Sequence, residues 1–442
     1  MERTKTDVDD AEEDDDDFDM FNPSKPPSRR GEASSSATLR PTTKTVVKHI
    51  EDLADEEGFF RAPPGTLVQS YTICGELGKG VFSTVFLVKK TSEELLLAMK
   101  VLRANETMYK AGMKELSILR EIGDHPHIVK LLDSFELENS DRSSTSPHLC
   151  LVFERMEMNL RETLNKYGQN VGLSLEGVRT FARQLCSALA RLRDLEIVHA
   201  DLKPDNVLVS ADLRRCSLSD LGSAFRLRDP EALIPTPYLV SRYYRSPEII
   251  LGLKYGCEAD VWALGATLFE LFCGRVLFPG ETNNDMLRLI HEAVGRIPKA
   301  MVRRHCEVYK TRLEREPHFE SMSEDSSSEF RFKQHERDPV TGSVIRRLVR
   351  VAERPSPRQS VKGLVIAKGL ETVTEDQTLL LDFADALEAC LAIDPHHRLD
   401  PRKAMMETTS SPFFSSFSSV NRSSSGGGHS KRLRKTSAVD DD

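Results

Sequence analysis

The stretch His199-Ala200-Asp201-Leu202-Lys203-Pro204-Asp205-Asn206-Val207-Leu208-Val209 constrains this chain more than any other. It sets a carboxylate, an ammonium and an amide at short fixed intervals and then runs into a short apolar strand. Asp201 and Asn206 stand five residues apart with Lys203 between them. Pro204 lacks the amide hydrogen that a continuing helix needs, so these side chains are expected on a loop. There Asp201 could accept or orient the proton of a hydroxyl. Lys203 could offset negative charge beside it, and Asn206 could give its side-chain oxygen to a hard cation. A polar turn before a strand is the other reading of these residues taken alone.

A chain of 442 residues has room for two or three compact units. Hydrophobic residues make up 39% and charged residues 29%, the balance of a globular core carrying polar tails. No apolar run reaches the length of a membrane helix, and the acidic sequence after Met1 predicts no secretory signal peptide. The eight cysteines form no Cys-x-x-Cys pair and sit mostly in apolar runs, as Cys186, Cys273 and Cys390 do. They read as buried thiols of a reducing compartment rather than disulfides or zinc ligands. A net charge of −8 argues against a nucleic-acid binder.

Residues 1–56 read as an acidic and Ser/Pro-rich tail around Asp14-Asp15-Asp16-Asp17, either solvated or, with Phe18, Met20 and Phe21, a docking segment for a basic partner. Folded sequence is expected from Glu57-Gly58-Phe59-Phe60-Arg61. Tyr71-Thr72-Ile73-Cys74 then leads into Gly78-Lys79-Gly80-Val81-Phe82-Ser83-Thr84-Val85, two glycines between strand-like runs. This predicts a hairpin, either an ordinary one or one whose backbone approaches a ligand closely.

Leu95 to Leu102 is an apolar strand with one lysine, Lys100, and a lysine is costly to bury without a partner. Ala111, Glu115, Ile118, Leu119 and Ile122 follow helical spacing, which puts Glu115 on an apolar face with the same need. A Lys100–Glu115 ion pair would answer both; the alternative leaves each at an edge in solvent. Another strand, His148 to Phe153, ends at Glu154-Arg155-Met156, and Phe153 suits a core or a pocket wall equally.

Val178, Phe181, Ala182, Leu185, Ala188, Leu189 and Leu192 predict a helix leading to the Asp201 stretch. Val207–Val209 and Cys216–Leu218 predict a short hairpin that delivers Asp220-Leu221-Gly222. Further on lies Thr236-Pro237-Tyr238-Leu239-Val240-Ser241-Arg242-Tyr243-Tyr244-Arg245-Ser246-Pro247-Glu248. A phosphate on Tyr238 would have two guanidinium groups near it in sequence, Arg242 and Arg245; carboxylates or solvent could equally take them. Asp260 opens an apolar helix, as a cap, as a support for the Asp201 loop, or both. Trp262 reads as core. Leu380, Phe383, Ala384, Leu387 and Leu391 form a last helical stripe, and Arg398 suits Glu248 as an ion-pair partner.

Residues 299–370 form a mixed-charge, serine-rich insertion. The tail from Ser415 carries Lys431-Arg432-Leu433-Arg434-Lys435, a solvated basic cluster or a nuclear-import signal.

Taken together and in this order, the motifs resemble a eukaryotic protein kinase across 71–414. The paired glycines, the strand lysine, the His-x-Asp-Leu-x-x-x-Asn stretch, the Asp-Leu-Gly triplet and the Ser-Pro-Glu ending are its signature set. Ser241-Arg242-Tyr243-Tyr244-Arg245 and the late insertion resemble the CMGC group. Val81-Phe82-Ser83, Met158-Asn159-Leu160-Arg161-Glu162, Lys166-Tyr167-Gly168, His199-Ala200-Asp201 and Phe278-Pro279-Gly280-Glu281-Thr282-Asn283-Asn284 are similar to the spliceosomal pre-mRNA-processing-four kinases, relatives of the dual-specificity tyrosine-regulated kinases. Leu221 replaces the Phe of that family.

The resemblance implies an α+β bilobal kinase fold with an antiparallel-sheet small lobe (71–156) and a mostly helical large lobe (157–414). A pre-kinase segment (57–70) precedes the domain, and tails occupy 1–56 and 415–442. It implies a serine/threonine kinase using ATP and Mg2+, with tyrosine autophosphorylation at Tyr238. Asp201 and Lys203 would be catalytic. Leu77, Gly78, Gly80, Val85, Ala98, Lys100, Glu115, Phe153, Glu154, Met156 and Leu208 would surround ATP, and Asn206 and Asp220 would hold metal. Arg242 and Arg245 would pair the Tyr238 phosphate, and Glu248 and Arg398 each other. Spliceosomal protein substrates, a nuclear location and a monomer without nucleic-acid or membrane contacts complete the expectation. Another CMGC kinase and a pseudokinase scaffold, suggested by Ser83, Ala200 and Leu221, are the rival readings.

Overall fold

The computed structural model describes residues 58–138, 146–230, 236–237, 239–322, 329–338, 343–371, 376–406 and 412–415. Its first half is a six-stranded antiparallel sheet made of β1 (Leu67–Val68), β2 (Tyr71–Lys79), β3 (Ser83–Lys90), β4 (Leu96–Leu102), β5 (Leu131–Leu137) and β6 (His148–Glu154), in the order β1-β2-β3-β4-β6-β5. Residues directly opposite one another across an antiparallel pair point to the same face. Val85 faces Lys100, which faces Leu151, while Leu87 faces Ala98, which faces Phe153. The neighbouring row, Phe86, Met99 and Val152, therefore points the other way. There it joins Phe60, Tyr71, Ile73 and Val88 in a small outer core. Phe60 meets Phe86 and His148 edge-on, at 5.8 and 5.5 Å between ring centroids, which seats the lead-in on the sheet. The lysine of β4 is thus turned by strand alternation to the inner face.

Helix α1 (Glu106–Ile122) lies against that inner face. Asn105 caps its start by accepting from the Met108 amide, and Gly123 ends it at a positive φ of 68°. Ala111, which the spacing predicted on the buried stripe, is exposed, and Gly112 holds the buried position instead. A Cβ at Gly112 would lie 2.5 Å from Leu102 Cδ2 and 2.9 Å from Leu149 Cδ2, so the missing side chain lets the helix sit close on β4 and β6.

The second half is mostly helical. It comprises β7 (Met158–Asn159), α2 (Leu160–Tyr167), α3 (Leu175–Asp194), β8 (Ile197–Val198), β9 (Val207–Val209), β10 (Cys216–Leu218), β11 (Phe225–Arg226), α4 (Pro247–Ile250), α5 (Glu258–Cys273), α6 (Asn283–Ala293), α7 (Lys299–Thr311), β12 (Phe319–Ser321), β13 (Phe330–Arg337), β14 (Val344–Val349), α8 (Val361–Glu371), α9 (Gln377–Cys390) and α10 (Pro401–Ala404). Helix α5 is buried on every side from Ala259 to Cys273, as its all-round apolar sequence requires. Trp262 is fully buried there and stacks on Phe278. The predicted hairpin of β9 and β10 is present, and β7 joins it on the β9 side. The late insertion builds α7, an antiparallel sheet β12-β13-β14 and α8. Six of the eight cysteines are buried free thiols, Cys74 is exposed and Cys306 is half-buried. No helix among the described residues is long and apolar enough to cross a membrane.

Candidate active site

Three charged groups meet between the two halves. Lys100 Nζ donates to Glu115 Oε1 at 2.9 Å and Oε2 at 3.0 Å, and to Asp220 Oδ1 at 3.0 Å. They come from β4, the middle of α1 and the segment just after β10. The Glu115 side chain is 4% exposed and that of Asp220 51% exposed, so the cluster is anchored inside and opens at the aspartate. Burial alone would depress the Lys100 ammonium, but the Asp220 and Glu115 carboxylates outweigh it and raise the group above its ordinary value. Lys100 in turn holds Asp220 down to about 2. Burial pushes Glu115 up, against the pull of Lys100. The ammonium therefore stays charged, and Asp220 is an ionised carboxylate facing the opening. Asp220 adopts the left-handed region at φ 57°, while Leu221 is buried and keeps the apolar contact of the triplet.

The Asp201 stretch is held from beneath. Asp260, at the start of α5, accepts from the main-chain amides of His199 at 2.8 Å and Ala200 at 3.0 Å. It does not cap its own helix, which begins at Glu258 without a side-chain cap. Ala200 sits at φ 62°, a conformation costing an alanine about 1 kcal/mol or more, and the Asp260 carboxylate holds its own amide and that of the preceding residue. Pro204–Asn206 makes one 3-10 turn rather than an open loop, with the proline at its first position where no amide is missed. That turn aims Asn206 back at Asp201. Its Nδ2 donates to the Asp201 carbonyl and to Oδ2, each at 2.8 Å.

Lys203 Nζ lies 2.9 Å from Asp201 Oδ2. It also donates to Ser241 Oγ at 2.8 Å, and that hydroxyl donates to Asp201 Oδ1 at 2.7 Å. Ser241 is a residue that sequence reasoning missed. It stands forty positions from Asp201, and nothing in its local sequence marks a hydroxyl that would lie against that carboxylate.

The remaining candidates lie on or beside β2, β3, β4, β6 and β9. Val85 and Ala98 share the inner face with Lys100 and Phe153. Leu77 is 49% exposed on β2 beside Gly78, and the Gly80 amide closes the hairpin by donating to the Ser83 carbonyl at 2.9 Å. Leu208 on β9 is half-buried and opposes Asn159. The Glu154 side chain is taken by Arg215, whose Nη1 and Nη2 donate to its two oxygens at 3.1 and 2.9 Å. Arg215 Nη2 also reaches Met156 Sδ at 3.4 Å. This fastening of the inter-lobe strand by the β9–β10 turn was not foreseen.

On the far side, Glu248 and Arg398 form a bidentate pair at 2.7 and 3.0 Å, both essentially fully buried. Tyr238 lies outside the described residues. Arg242 donates to the Glu281 carbonyl, and Arg245 takes a more internal place than its sequence position suggested. It is buried, donating to the Leu239 and Val240 carbonyls and to Asn283 Oδ1.

A family model for the protein kinase domain matches residues 71–414. The chain is similar to the serine/threonine-protein kinase prp4 of Schizosaccharomyces pombe, 35% identical over 405 residues that cover 90% of this chain and 77% of that protein. It is 34% identical over 366 residues to the serine/threonine-protein kinase prpf4B of Dictyostelium discoideum, covering 81% of this chain but only 42% of that one. A dual specificity protein kinase YAK1 homolog of Arabidopsis thaliana is 37% identical over 238 residues, 52% of this chain and 24% of its own.

Proposed function

The chain belongs to the protein kinase domain family and is a serine/threonine kinase of the prp4 type, and we propose that it phosphorylates proteins of the pre-mRNA splicing machinery in the nucleus. The observation that carries the catalytic reading is the Lys100 ammonium held between Glu115 and Asp220, with Asn206, bonded to Asp201, joined through its carbonyl to Ser219 beside Asp220. The names of the two prp4-type relatives support the splicing assignment.

The donor set fits Mg-ATP. Asp220 is an ionised, half-exposed carboxylate, and Asn206 spends its Nδ2 on Asp201, which leaves its Oδ1 as a hard-cation ligand. Bound Mg2+ would neutralise charge on the phosphate oxygens. Lys100, fixed by Glu115, would position the phosphates, and Gly78 and Gly80 would cover them with backbone. Val85, Ala98, Phe153 and Leu208 would form the apolar walls for the base, with Leu77 at the rim and backbone groups near Glu154 and Met156 binding its edge. Asp201 would orient the substrate hydroxyl and take its proton, while Lys203 balances the charge beside it. Tyr238, phosphorylated by the enzyme itself, would bring its phosphate to the guanidinium groups of Arg242 and Arg245 and order the substrate side. Transfer of radiolabel from ATP to a serine/threonine protein substrate tests the chemistry, with Asp201→Ala as the silent control. Equal labelling by both chains would refute the assignment of Asp201. Co-purification of spliceosomal proteins with the tagged chain tests the partner class, and their absence would remove it.

A further inference from the structure

Arg161 occupies an unusual place for a substrate-facing cation. It stands in the first turn of α2, which Asn159 and Glu162 fix with reciprocal capping bonds. From there its guanidinium reaches three groups on three other segments. Nη1 pairs with Glu270 Oε1 of α5, and Nη2 donates to Tyr244 Oη at 2.7 Å and approaches Asp205 Oδ2 at 3.3 Å. Tyr244 Oη in turn donates to the second Glu270 oxygen at 2.7 Å.

The layering of this cluster matters. The Glu270 side chain is 3% exposed, that of Arg161 28% and that of Asp205 45%. Arg161 is therefore the lid over a buried carboxylate, with a second carboxylate at the rim. Asp205 belongs to the same 3-10 turn as Asn206, and Tyr244 ends the turn that begins directly after Ser241. Both Asn206 and Ser241 touch Asp201. The notch thus lies between the two segments that would hold the acceptor hydroxyl, within reach of residues flanking it.

Two carboxylates and a phenol at these spacings make a receptor for a planar guanidinium fork. A carboxylate buried as deeply as Glu270 is costly without a charged partner. In this chain the cation is internal. We propose that Arg161 is a specificity-determining residue. By filling an acidic notch beside the acceptor site from within, it frees the enzyme from requiring an arginine on its protein substrate. Removing it opens a site for a substrate guanidinium. This inference rests on the protein-kinase reading.

The test compares kcat/KM for a neutral serine peptide with versions carrying one arginine at each flanking position in turn. The parent chain and Arg161→Lys, which keeps a cation over Glu270, should show no arginine preference beyond about threefold at any position. Arg161→Ala should favour one arginine position by about tenfold or more, the discrimination expected of one recovered charge-assisted pair. A strong arginine preference in the parent overturns the proposal, and that measurement needs no variant. So does an Arg161→Ala chain that binds ATP yet treats all peptides alike or phosphorylates none. Should the parent label no peptide and no protein at all, the kinase reading itself has failed, a different result from an unchanged ratio.

Discussion

Replacing Asp260 by asparagine should loosen the Asp201 stretch from beneath. The carboxylate accepts two main-chain amides in a fully buried setting, at 2.8 and 3.0 Å. An asparagine keeps one acceptor and turns an amide N–H toward the other donor. One charged hydrogen bond is then lost outright, about 1.5–3 kcal/mol. The strain of Ala200 at φ 62°, about 1 kcal/mol, is already carried by the parent, and a loop freed from Asp260 can shed it. The expected cost is therefore about 0.5–2 kcal/mol of stability, and a loop shifted by about 1 Å should lose about a hundredfold in kcat. Urea denaturation and steady-state peptide phosphorylation read the two effects. Repeating the substitution in an Ala200→Gly background isolates the strain. There Asp260→Asn should cost about 1 kcal/mol more, because glycine adopts the left-handed region freely and the freed loop has no strain to shed. A loss below about 0.5 kcal/mol with unchanged kcat, or the same loss in both backgrounds, would refute the reasoning.

Glu115→Gln should leave Lys100 paired only with Asp220 and reduce phosphoryl transfer by about a hundredfold, measured as kcat on a peptide at saturating ATP. Arg398→Met should strand the buried Glu248 carboxylate and cost about 3–5 kcal/mol by chemical denaturation, and adding Glu248→Leu should recover part of that loss. Burial pushes His291 and His305 down from 6.5 to about 4. Between those values the unfolded chain holds more protons than the folded one. Their contribution is whole above pH 6.5 and is lost as pH falls toward 4, with a slope of about 1.4 kcal/mol per pH unit for each histidine. His291 packs between Phe319 and Phe332 with neither ring nitrogen hydrogen-bonded, so His291→Phe should stabilise the chain and flatten the acid limb by one histidine in melts across pH 4–7.

Contacts that follow from local pattern and the cost of burying charge were readable before any coordinates. The meeting of Lys100 and Glu115 followed from one lysine in an apolar strand and one carboxylate on an apolar helix face, while that of Glu248 and Arg398 was expected from the resemblance to the kinase family. The β2–β3 and β9–β10 hairpins followed from glycines and β-branched runs. Contacts made by exposed-looking polar residues far apart in the chain were not readable. Ser241 against Asp201, Arg215 against Glu154 and Arg161 over Glu270 each join elements whose juxtaposition only the tertiary fold decides. Gly112 escaped notice because helical periodicity rewards side chains, whereas here the absence of one sets how closely α1 sits on the sheet. The insertion sheet β12-β13-β14 was hidden by its many charged, mostly basic residues, some of which pair across its strands, as Arg347 and Glu336 do.

The central claim is that charged groups carried by distant segments converge to move a phosphoryl group from ATP. Mass spectrometry of the purified parent and of Asp220→Asn, after incubation with ATP and Mg2+, tests it most directly. The account predicts new phosphate on the parent, Tyr238 among the sites, and none on the variant. A parent that gains no phosphate and labels no added protein, or a variant modified as fully as the parent, would contradict it.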